Sequence, residues 1–297
     1  MGESKRVILF VNFHKTRAPV LARELLDELA RLGIDAFSCP FEDAGIPGPE
    51  DHFDLAFSLG GDGTVLYTAR KVAPLGIPIF PINIGTLGFI AAVHPDEWKT
   101  TFHAWLAGGA EVSRRLMLEL WVERRGREVY RAVCLNDAVV SAMGIAKIIR
   151  LRAESTDGPP AEGLQEERIS LGHYRSDGLI AATPTGSTGY SAAAGGPILD
   201  PELEAIIINP VCPFTQSNRP LVIPARRRVI VEVEAEQRSG VLLTVDGQLT
   251  EALEPGDRIC IGRAPGEARL VASGRKGFYT ALRTKFFRTG TAGDGDA

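Results

Sequence analysis

Residues 55–72 read LAFSLGGDGTVLYTARKV. The apolar run at its start, Leu55–Leu59, is typical of a buried parallel strand, and the stretch from about Thr64 to Val72 is predicted to be a helix. Between them lies a turn that contains three glycines and one aspartate. A strand that passes through a glycine turn into a helix is the repeating unit of open parallel sheets, so this stretch predicts an α/β fold.

The residues around this stretch repeat the same alternation of strand and helix. Further strands are expected at Val7–Val11, Asp35–Cys39 and Ile77–Ile82, and a helix is expected at Pro19–Leu32 with Gly33 as its C-terminal cap. The sequence therefore predicts that residues 1–113 form a Rossmann-like, doubly wound open parallel sheet.

The pattern changes after about Arg114 to short alternating strands separated by turns, for example Val229–Val233 and Val241–Val245. We expect residues 114–274 to form an antiparallel, β-sandwich-like second domain. Residues 275–290 have helical spacing and are expected to return to the first domain, and residues 291–297 are expected to be a disordered tail. Residues 157–167 are rich in Pro, Gly and Glu and are expected to form a surface loop.

Composition excludes several classes of partner. The chain has 297 residues and a formal net charge of −4, so no nucleic-acid or acidic-membrane partner is expected. The N-terminal residues lack the apolar segment of a signal peptide, no apolar run approaches about 18 residues, and the protein is expected to be cytoplasmic. No pair of cysteines has the spacing of a metal or redox site.

The glycine turn predicts phosphate chemistry. Gly60, Gly61 and Thr64 offer a flexible backbone and a helix N-terminus, which attract an anionic phosphate chain. A carboxylate beside such a chain is repulsive unless it has a task, so Asp62 is predicted either to hold Mg²⁺ or to accept a proton from an attacking hydroxyl. The alternative is that Asp62 simply caps the helix. The same five residues also resemble the turns of phosphofructokinases and of diacylglycerol or sphingosine kinases.

A second motif begins at Asp177, where residues 177–197 read DGLIAATPTGSTGYSAAAGGP. An apolar strand runs here into a loop of small hydroxyl residues with one aromatic. Such a loop can place hydroxyls on a ribose and an aromatic face on a base. The alternative is a β-turn and a helix with ordinary Ser and Thr capping.

Together the two motifs resemble the NAD kinase family. Five further stretches agree with the resemblance: Asn83–Phe89, Leu135–Asp137, Asn218–Pro220, Val245–Gly247 and Tyr279–Lys285. The family implies transfer of a phosphoryl group from ATP, with Mg²⁺, to the 2′-hydroxyl of the adenosine ribose of NAD. It also implies a homodimer or homotetramer, and it leaves open whether polyphosphate can replace ATP.

The resemblance also implies roles for single residues. Asp62 would be the catalytic acidic residue. Asn136 and Asp137 match a pair that binds the ribose and phosphate region of NAD, although many relatives have Glu where this chain has Asp137. Residues expected to contact NAD are Gly63, Phe89, Asn136, Asp137, Lys147, Arg175, Asp177, Thr188, Gly189, Tyr190, Ser191, Ala193 and Gln248; those expected to contact the phosphate donor are Gly60, Gly61 and Thr64.

Two rival functions share part of this evidence. A lipid kinase of the diacylglycerol or sphingosine type would share the glycine turn but should have a deep apolar pocket and no dinucleotide loop. A non-catalytic dinucleotide sensor would not be expected to keep Asp62, because that residue is needed for chemistry more than for binding.

Overall fold

The computed structural model describes residues 5–40, 52–85, 88–144, 147–157, 167–215 and 218–286. The chain divides into two compact units. Unit 1 comprises Met1–Val65, Ile79–Ser113 and Leu270–Ala297, and unit 2 comprises Leu66–Pro78 and Arg114–Arg269. The domain boundaries expected at 113/114 and 274/275 stay a prediction. Most of the expected loop at 157–167 and the whole expected tail at 291–297 lie outside the described residues.

Unit 1 is built on a parallel sheet with the strand order β2-β1-β3-β4, and Leu270 pairs in parallel with Ile79 at its edge. The strands are β1 (Arg6–Val11), β2 (Asp35–Pro40), β3 (Leu55–Gly60) and β4 (Ile79–Asn83). The helices are α1 (Ala18–Arg31), α2 (Asp62–Val72, which begins in unit 1), α3 (Trp98–Leu106) and α5 (Arg275–Phe286).

The apolar patterns explain this sheet. Every residue of β3 is buried, as expected for a parallel strand that is covered on both faces. The rings of Phe57, Phe80 and Phe102 meet between the sheet and α3, with Phe57 centred 5.0 Å from Phe80 and 5.3 Å from Phe102. The predicted α/β class is confirmed. Helix α3 is the element that the sequence patterns missed.

Two boundaries in unit 1 differ from the predictions. Helix α2 begins at Asp62 and not at Thr64, because the N–H groups of Thr64 and Val65 already bond to the carbonyl of Gly61. Strand β4 begins at Ile79 and not at Ile77, because a short 3-10 turn at Ala73–Leu75 ends at Gly76 with φ +71°.

Unit 2 is dominated by antiparallel strands, as predicted. A six-stranded sheet has the order β12-β11-β10-β7-β14-β15, and β16, β13, β8 and β9 pair in that order. The strands are β5 (Val112–Arg124), β6 (Arg127–Cys134), β7 (Asp137–Ala142), β8 (Ile149–Thr156), β9 (Arg168–Ser176), β10 (Gly178–Ala182), β11 (Ala205–Val211), β12 (Leu221–Pro224), β13 (Arg228–Val233), β14 (Val241–Val245), β15 (Leu249–Leu253) and β16 (Arg258–Val271).

Register brings three strand ends to one edge of the six-stranded sheet. Asp137 at the start of β7 pairs with Ala182 at the end of β10, and Ala138 pairs with Val245 at the end of β14. The segment after β10, which contains the 3-10 turn Gly186–Thr188 and the short helix α4 (Tyr190–Ala193), therefore starts beside Asp137. The turn after β14 starts beside it as well.

No helix in the described ranges is both long enough and apolar enough to cross a membrane.

Candidate functional site

In unit 1 the carboxylate of Asp62 is held by the backbone of the segment that follows β4. Its Oδ2 accepts the N–H of Phe89 at 2.9 Å, and its Oδ1 accepts the N–H groups of Ile90 at 3.2 Å and Ala91 at 2.9 Å. These are the partners of the Asp62 side chain among the described residues, so the interpretation that Asp62 caps its own helix is wrong. The carboxylate is a fixed group at the carboxyl end of a parallel strand.

Gly88 makes this arrangement sterically possible. A Cβ atom added at Gly88 would lie 2.0 Å from Oδ1 and 2.8 Å from Cγ of Asp62. Any side chain at position 88 would thus displace the carboxylate. Thr86 and Leu87, just before it, lie outside the described residues.

Helix α5 packs against the same segment. The Phe89 ring lies 6.2 Å from the ring of Phe278 and 5.7 Å from that of Phe286, and the Lys285 ammonium lies 4.5 Å from its centre. The buried Ser273 hydroxyl donates to the carbonyl of Ile90 at 3.2 Å. The Phe89 side chain, which the resemblance assigns to NAD, is therefore supported on α5.

In unit 2 a cavity of about 330 Å³ opens at the sheet edge where β7, β10 and β14 meet. Its lining combines polar groups with one aromatic ring, and the residues are Asn136, Asp137, Val139, Ser141, Tyr190, Thr244, Asp246 and Gly247. Three of the residues predicted from the sequence, Asn136, Asp137 and Tyr190, thus share one cavity. Tyr190 is 48% exposed there.

Two residues that line this cavity carry acceptor groups that receive no donor from the described part of the chain. The buried Oδ1 of Asn136 has no hydrogen-bond partner, and the Asp137 carboxylate receives none from the described residues, although Asp137 is only 6% exposed. Buried acceptors are normally paired, because an unpaired one costs about 1–3 kcal/mol. Unpaired acceptors on two consecutive residues of a cavity wall are suited to a ligand that brings hydroxyl donors.

The electrostatics of the pair follow from burial. Burial, reinforced by the negative charge of Asp246, raises the pKa of Asp137 from 3.8 to about 7. Burial also raises the pKa of Asp246, while the Asn136 N–H and the Arg70 guanidinium act in the opposite direction. Asp137 is thus a carboxyl group that changes charge near neutral pH.

Replacing Asp137 with asparagine should stabilise the protein at high pH but not at low pH. The folded state keeps the Asp137 proton up to about pH 7, whereas the unfolded chain loses it near pH 3.8. The folded state therefore binds more protons between these values, and the contribution of Asp137 to stability falls as pH rises through that window. Asp137→Asn removes this loss, a gain of at most about 4 kcal/mol above pH 7.

Denaturant unfolding of wild type and Asp137→Asn at pH 4.5, 6 and 8 measures the difference. Asp27→Asn makes the same chemical change at an exposed position on α1 and serves as the control for the substitution itself. A constant difference for Asp137→Asn across the three pH values would contradict the raised pKa.

Hydroxyl groups of the segment after β10 donate hydrogen bonds that hold its backbone in place. Thr183 Oγ1 donates to the carbonyl of Leu135 at 2.6 Å, and Thr188 Oγ1 donates to that of Thr185 at 3.2 Å. A Cβ atom at Gly186 would lie 2.2 Å from the carbonyl oxygen of Asn136, so glycine is required at that position. A Cβ atom at Gly189 would lie 3.8 Å from the Asp137 carboxylate, which places this loop against the Asn136–Asp137 pair.

The other predicted residues of unit 2 do not line the cavity. Ser191 is buried against the amide of Asn209 at 3.3 Å, and Arg175 lies 4.9 Å from the ring of Phe214. Asp177 is half-buried, and Lys147 and Ala193 are exposed. Gln248 follows the cavity residue Gly247 in the chain, and its side-chain oxygen accepts a hydrogen bond from Arg70.

The residues predicted to contact the phosphate donor, Gly60, Gly61 and Thr64, lie around the start of α2 in unit 1, together with Gly63, which is predicted to contact NAD. Gly63 is exposed and Gly61 is half-buried, whereas Gly60 and Thr64 are buried. The Thr64 hydroxyl accepts from the amide of Asn12 at 3.4 Å.

Sequence reasoning missed the residues that complete the cavity. Val139 and Ser141 are two positions apart on β7, and Thr244 on β14 pairs with Val139. Only this register shows that the three side chains face the same cavity. Arg70 was also missed, although its guanidinium bonds to Asp246 at 2.9 Å. The stretch Val245–Gly247 was noticed, but no role followed from it.

The described residues contain no group of three or more His, Cys, Asp or Glu side chains that could hold a metal ion. A Mg²⁺ ion in phosphoryl transfer commonly uses one or two carboxylates together with substrate phosphates, so it does not need such a group. The residues present are compatible with a metal ion that is carried mainly by the phosphate donor.

Comparison with known proteins identifies the family. The model of the ATP-NAD kinase N-terminal domain matches residues 41–110, and that of the ATP-NAD kinase C-terminal domain matches residues 162–273. The chain is 39% identical to the NAD kinase of Treponema denticola over 97% of this chain and 98% of the relative. It is 37% identical to that of Geobacter sulfurreducens over 95% and 98%.

Solved structures share the fold. The NAD kinase of Archaeoglobus fulgidus in complex with ATP superposes with a TM-score of 0.72 at 25% identity, over 94% of this chain and 99% of that one. Yeast NADH kinase complexed with NADH gives a TM-score of 0.80 at 22% identity, over 99% and 90%. With near full-length relatives at 37–39% identity, the resemblance noted in the sequence is confirmed, and the chain belongs to the NAD kinase family.

Proposed function

We infer that this protein transfers the γ-phosphoryl group of ATP to the 2′-hydroxyl of the adenosine ribose of NAD, forming NADP and ADP. The observation that carries the inference beyond family membership is the cavity of unit 2, whose wall includes the consecutive residues Asn136 and Asp137, with side-chain acceptors that receive no donor from the described residues. A ribose diol supplies two adjacent hydroxyl donors, and a dinucleotide supplies a base for the neighbouring Tyr190 ring.

In the proposed reaction Asp62 accepts the proton of the attacking hydroxyl. A carboxylate has about four acceptor sites, and three of those on Asp62 are taken by backbone N–H groups, two at Oδ1 and one at Oδ2. The remaining site is on Oδ2, and we assign the proton to that atom. Because the carboxylate is already held in place, little reorganisation is needed when the proton moves.

The bonds in this step balance. A bond forms between the 2′-oxygen and the γ-phosphorus, the bond from that phosphorus to the β–γ bridging oxygen breaks, and ADP leaves with the electron pair. The backbone of Gly60 and Gly61 and the hydroxyl of Thr64 are proposed to contact the phosphate chain at the start of α2. A bound Mg²⁺ would neutralise the charge that develops on the phosphate oxygens.

The remaining assignments are proposals that rest on the family resemblance. Gly63, Phe89, Lys147, Arg175, Asp177, Thr188, Gly189, Ser191, Ala193 and Gln248 are assigned to NAD. Assembly as a homodimer or homotetramer is proposed on the same ground, and polyphosphate is the alternative donor to be tested.

The rival lipid kinase fits less well. It requires a deep apolar pocket, whereas the lining of this cavity includes Asn136, Asp137 and Asp246. The non-catalytic sensor would leave the fixed Asp62 carboxylate without a task.

The direct test incubates the purified protein with NAD, ATP and Mg²⁺ and detects NADP with an NADP-specific dehydrogenase. We expect NADP to form only when both substrates are present. Parallel reactions with polyphosphate, diacylglycerol or sphingosine separate the alternatives. Binding of NAD without any NADP would favour the sensor, and phosphorylation of a lipid would favour the lipid kinase.

A further inference from the structure

Asp246 occupies the tight turn that joins β14 to β15. It has φ +51° and is followed by Gly247 with φ +66°, and the Gln248 N–H closes the turn on the carbonyl of Val245 at 2.9 Å. Two successive residues with positive φ are the mark of a type I′ turn, which Asn-Gly forms as readily as Asp-Gly. The turn by itself therefore does not require a carboxylate.

The Asp246 carboxylate accepts hydrogen bonds from the backbone of another segment, Leu135–Asp137. Its Oδ1 accepts the N–H groups of Asn136 at 2.8 Å and Asp137 at 3.3 Å, and its Oδ2 accepts that of Leu135 at 3.2 Å. In return, the Asp246 N–H donates to the carbonyl of Asp137 at 2.9 Å. One side chain thus fixes the backbone that carries both unpaired acceptors of the cavity.

Arg70 supplies the countercharge. Its NH1 group donates to Asp246 Oδ2 at 2.9 Å, with the Arg70 side chain 7% and the Asp246 side chain 0% exposed, and its NH2 group donates to Gln248. A buried carboxylate without such a partner carries a large desolvation cost. The forked guanidinium spans both side chains of the turn, which the single ammonium of a lysine does not do.

We propose that Arg70 and Asp246 are positioning residues for NAD: Arg70 holds the Asp246 carboxylate, and that carboxylate fixes the backbone of Leu135–Asp137 so that Asn136 and Asp137 present their acceptors to the cavity. The proposal rests on the function proposed above. Neither side chain is assigned a contact with the reacting atoms, so removing Arg70 should weaken NAD binding much more than it slows the chemical step.

The same arrangement has an electrostatic consequence. Among the described residues, the titratable groups near Asp137 include Asp246 on the turn, whose charge acts on Asp137, and Cys134 at the end of β6. Arg70 on α2 pairs with Asp246, and Tyr190 lines the same cavity. Because the charge of Asp246 helps to raise the pKa of Asp137, its removal should lower that pKa. If ionised Asp137 accepts the diol, kcat/KM for NAD rises with pH through the Asp137 titration. In Asp246→Asn this rise should move to lower pH.

The test compares Arg70→Gln, Arg70→Lys and Asp246→Asn by steady-state kinetics and by calorimetric titration with NAD. Arg70→Gln should raise KM for NAD about tenfold with kcat within about threefold of wild type, and Arg70→Lys, which keeps the charge but not the fork, should recover only part of that loss. Arg263→Gln is the matched control, because it breaks an exposed ion pair with Glu204 in the same unit and should leave KM unchanged.

Two results would overturn the proposal. One is an unchanged KM for NAD in Arg70→Gln, even where its melting temperature falls. The other is a folded Asp246→Asn whose pH midpoint does not move. If Asp246→Asn does not fold, the two Arg70 variants decide alone. If wild type makes no NADP, the proposed function fails separately, and the calorimetric Kd for NAD still tests the positioning role.

Discussion

Asp62→Asn should lower kcat for NADP formation by about 10²–10⁴-fold while Kd for NAD stays within about threefold of wild type. The substitution removes the group proposed to accept the 2′-hydroxyl proton. It keeps a carbonyl oxygen that can still accept the N–H groups of Ile90 and Ala91, which Oδ1 accepts in the wild-type protein at 3.2 and 2.9 Å. The surrounding segment should therefore stay in place.

Comparison with Asp62→Ala distinguishes a proton-accepting role of Asp62 from a purely structural one. Alanine leaves the N–H groups of Phe89, Ile90 and Ala91 without their acceptor, so this variant should be less stable than Asp62→Asn. If Asp62 is the proton acceptor, both variants are inactive to a similar degree although their melting temperatures differ. If Asp62 only supports the segment, Asp62→Asn keeps near wild-type activity. Rapid-quench measurement of NADP formation, with Kd from calorimetry, distinguishes these outcomes.

Gly88→Ala should lower kcat by about 10²-fold although it leaves every proposed catalytic group in the protein. The added Cβ would lie 2.0 Å from Asp62 Oδ1, and no packed structure tolerates that distance, so the carboxylate or the segment must move. A displacement of about 1 Å is enough to misalign a proton acceptor. The measurement is kcat with saturating ATP and NAD.

Gly277→Ala is the matched control for Gly88→Ala. Gly277 lies in α5 with open space around the added atom, so this variant should keep wild-type activity. The double variant with Asp62→Asn adds a second check. If Gly88 acts through Asp62, adding Gly88→Ala to Asp62→Asn should cause little further loss, because the group it displaces is already gone. Additive losses would show that Gly88 acts by another route.

The sequence by itself determined the elements of the first motif. In residues 55–72 an apolar run, a glycine turn and a helical stretch follow one another, and each is specified by neighbours along the chain. The structure has β3 and α2 at these places. The change to antiparallel strands after Arg114 was visible for the same reason, since alternation with a period of two is a local property.

The tertiary structure alone decided which contacts these residues make. Asp62 could have capped its helix, and only the fold of the segment at Gly88–Ala91 shows that its carboxylate is held from outside. Arg70 meets Asp246 across 176 positions of sequence, a pairing that depends on the packing of α2 in unit 2 and on the end of β14. Asn136, Asp137 and Tyr190 share a cavity because β7 and β10 pair in one register. A shift of one residue would turn every side chain of the strand to the other face, and no local pattern fixes a register between distant strands.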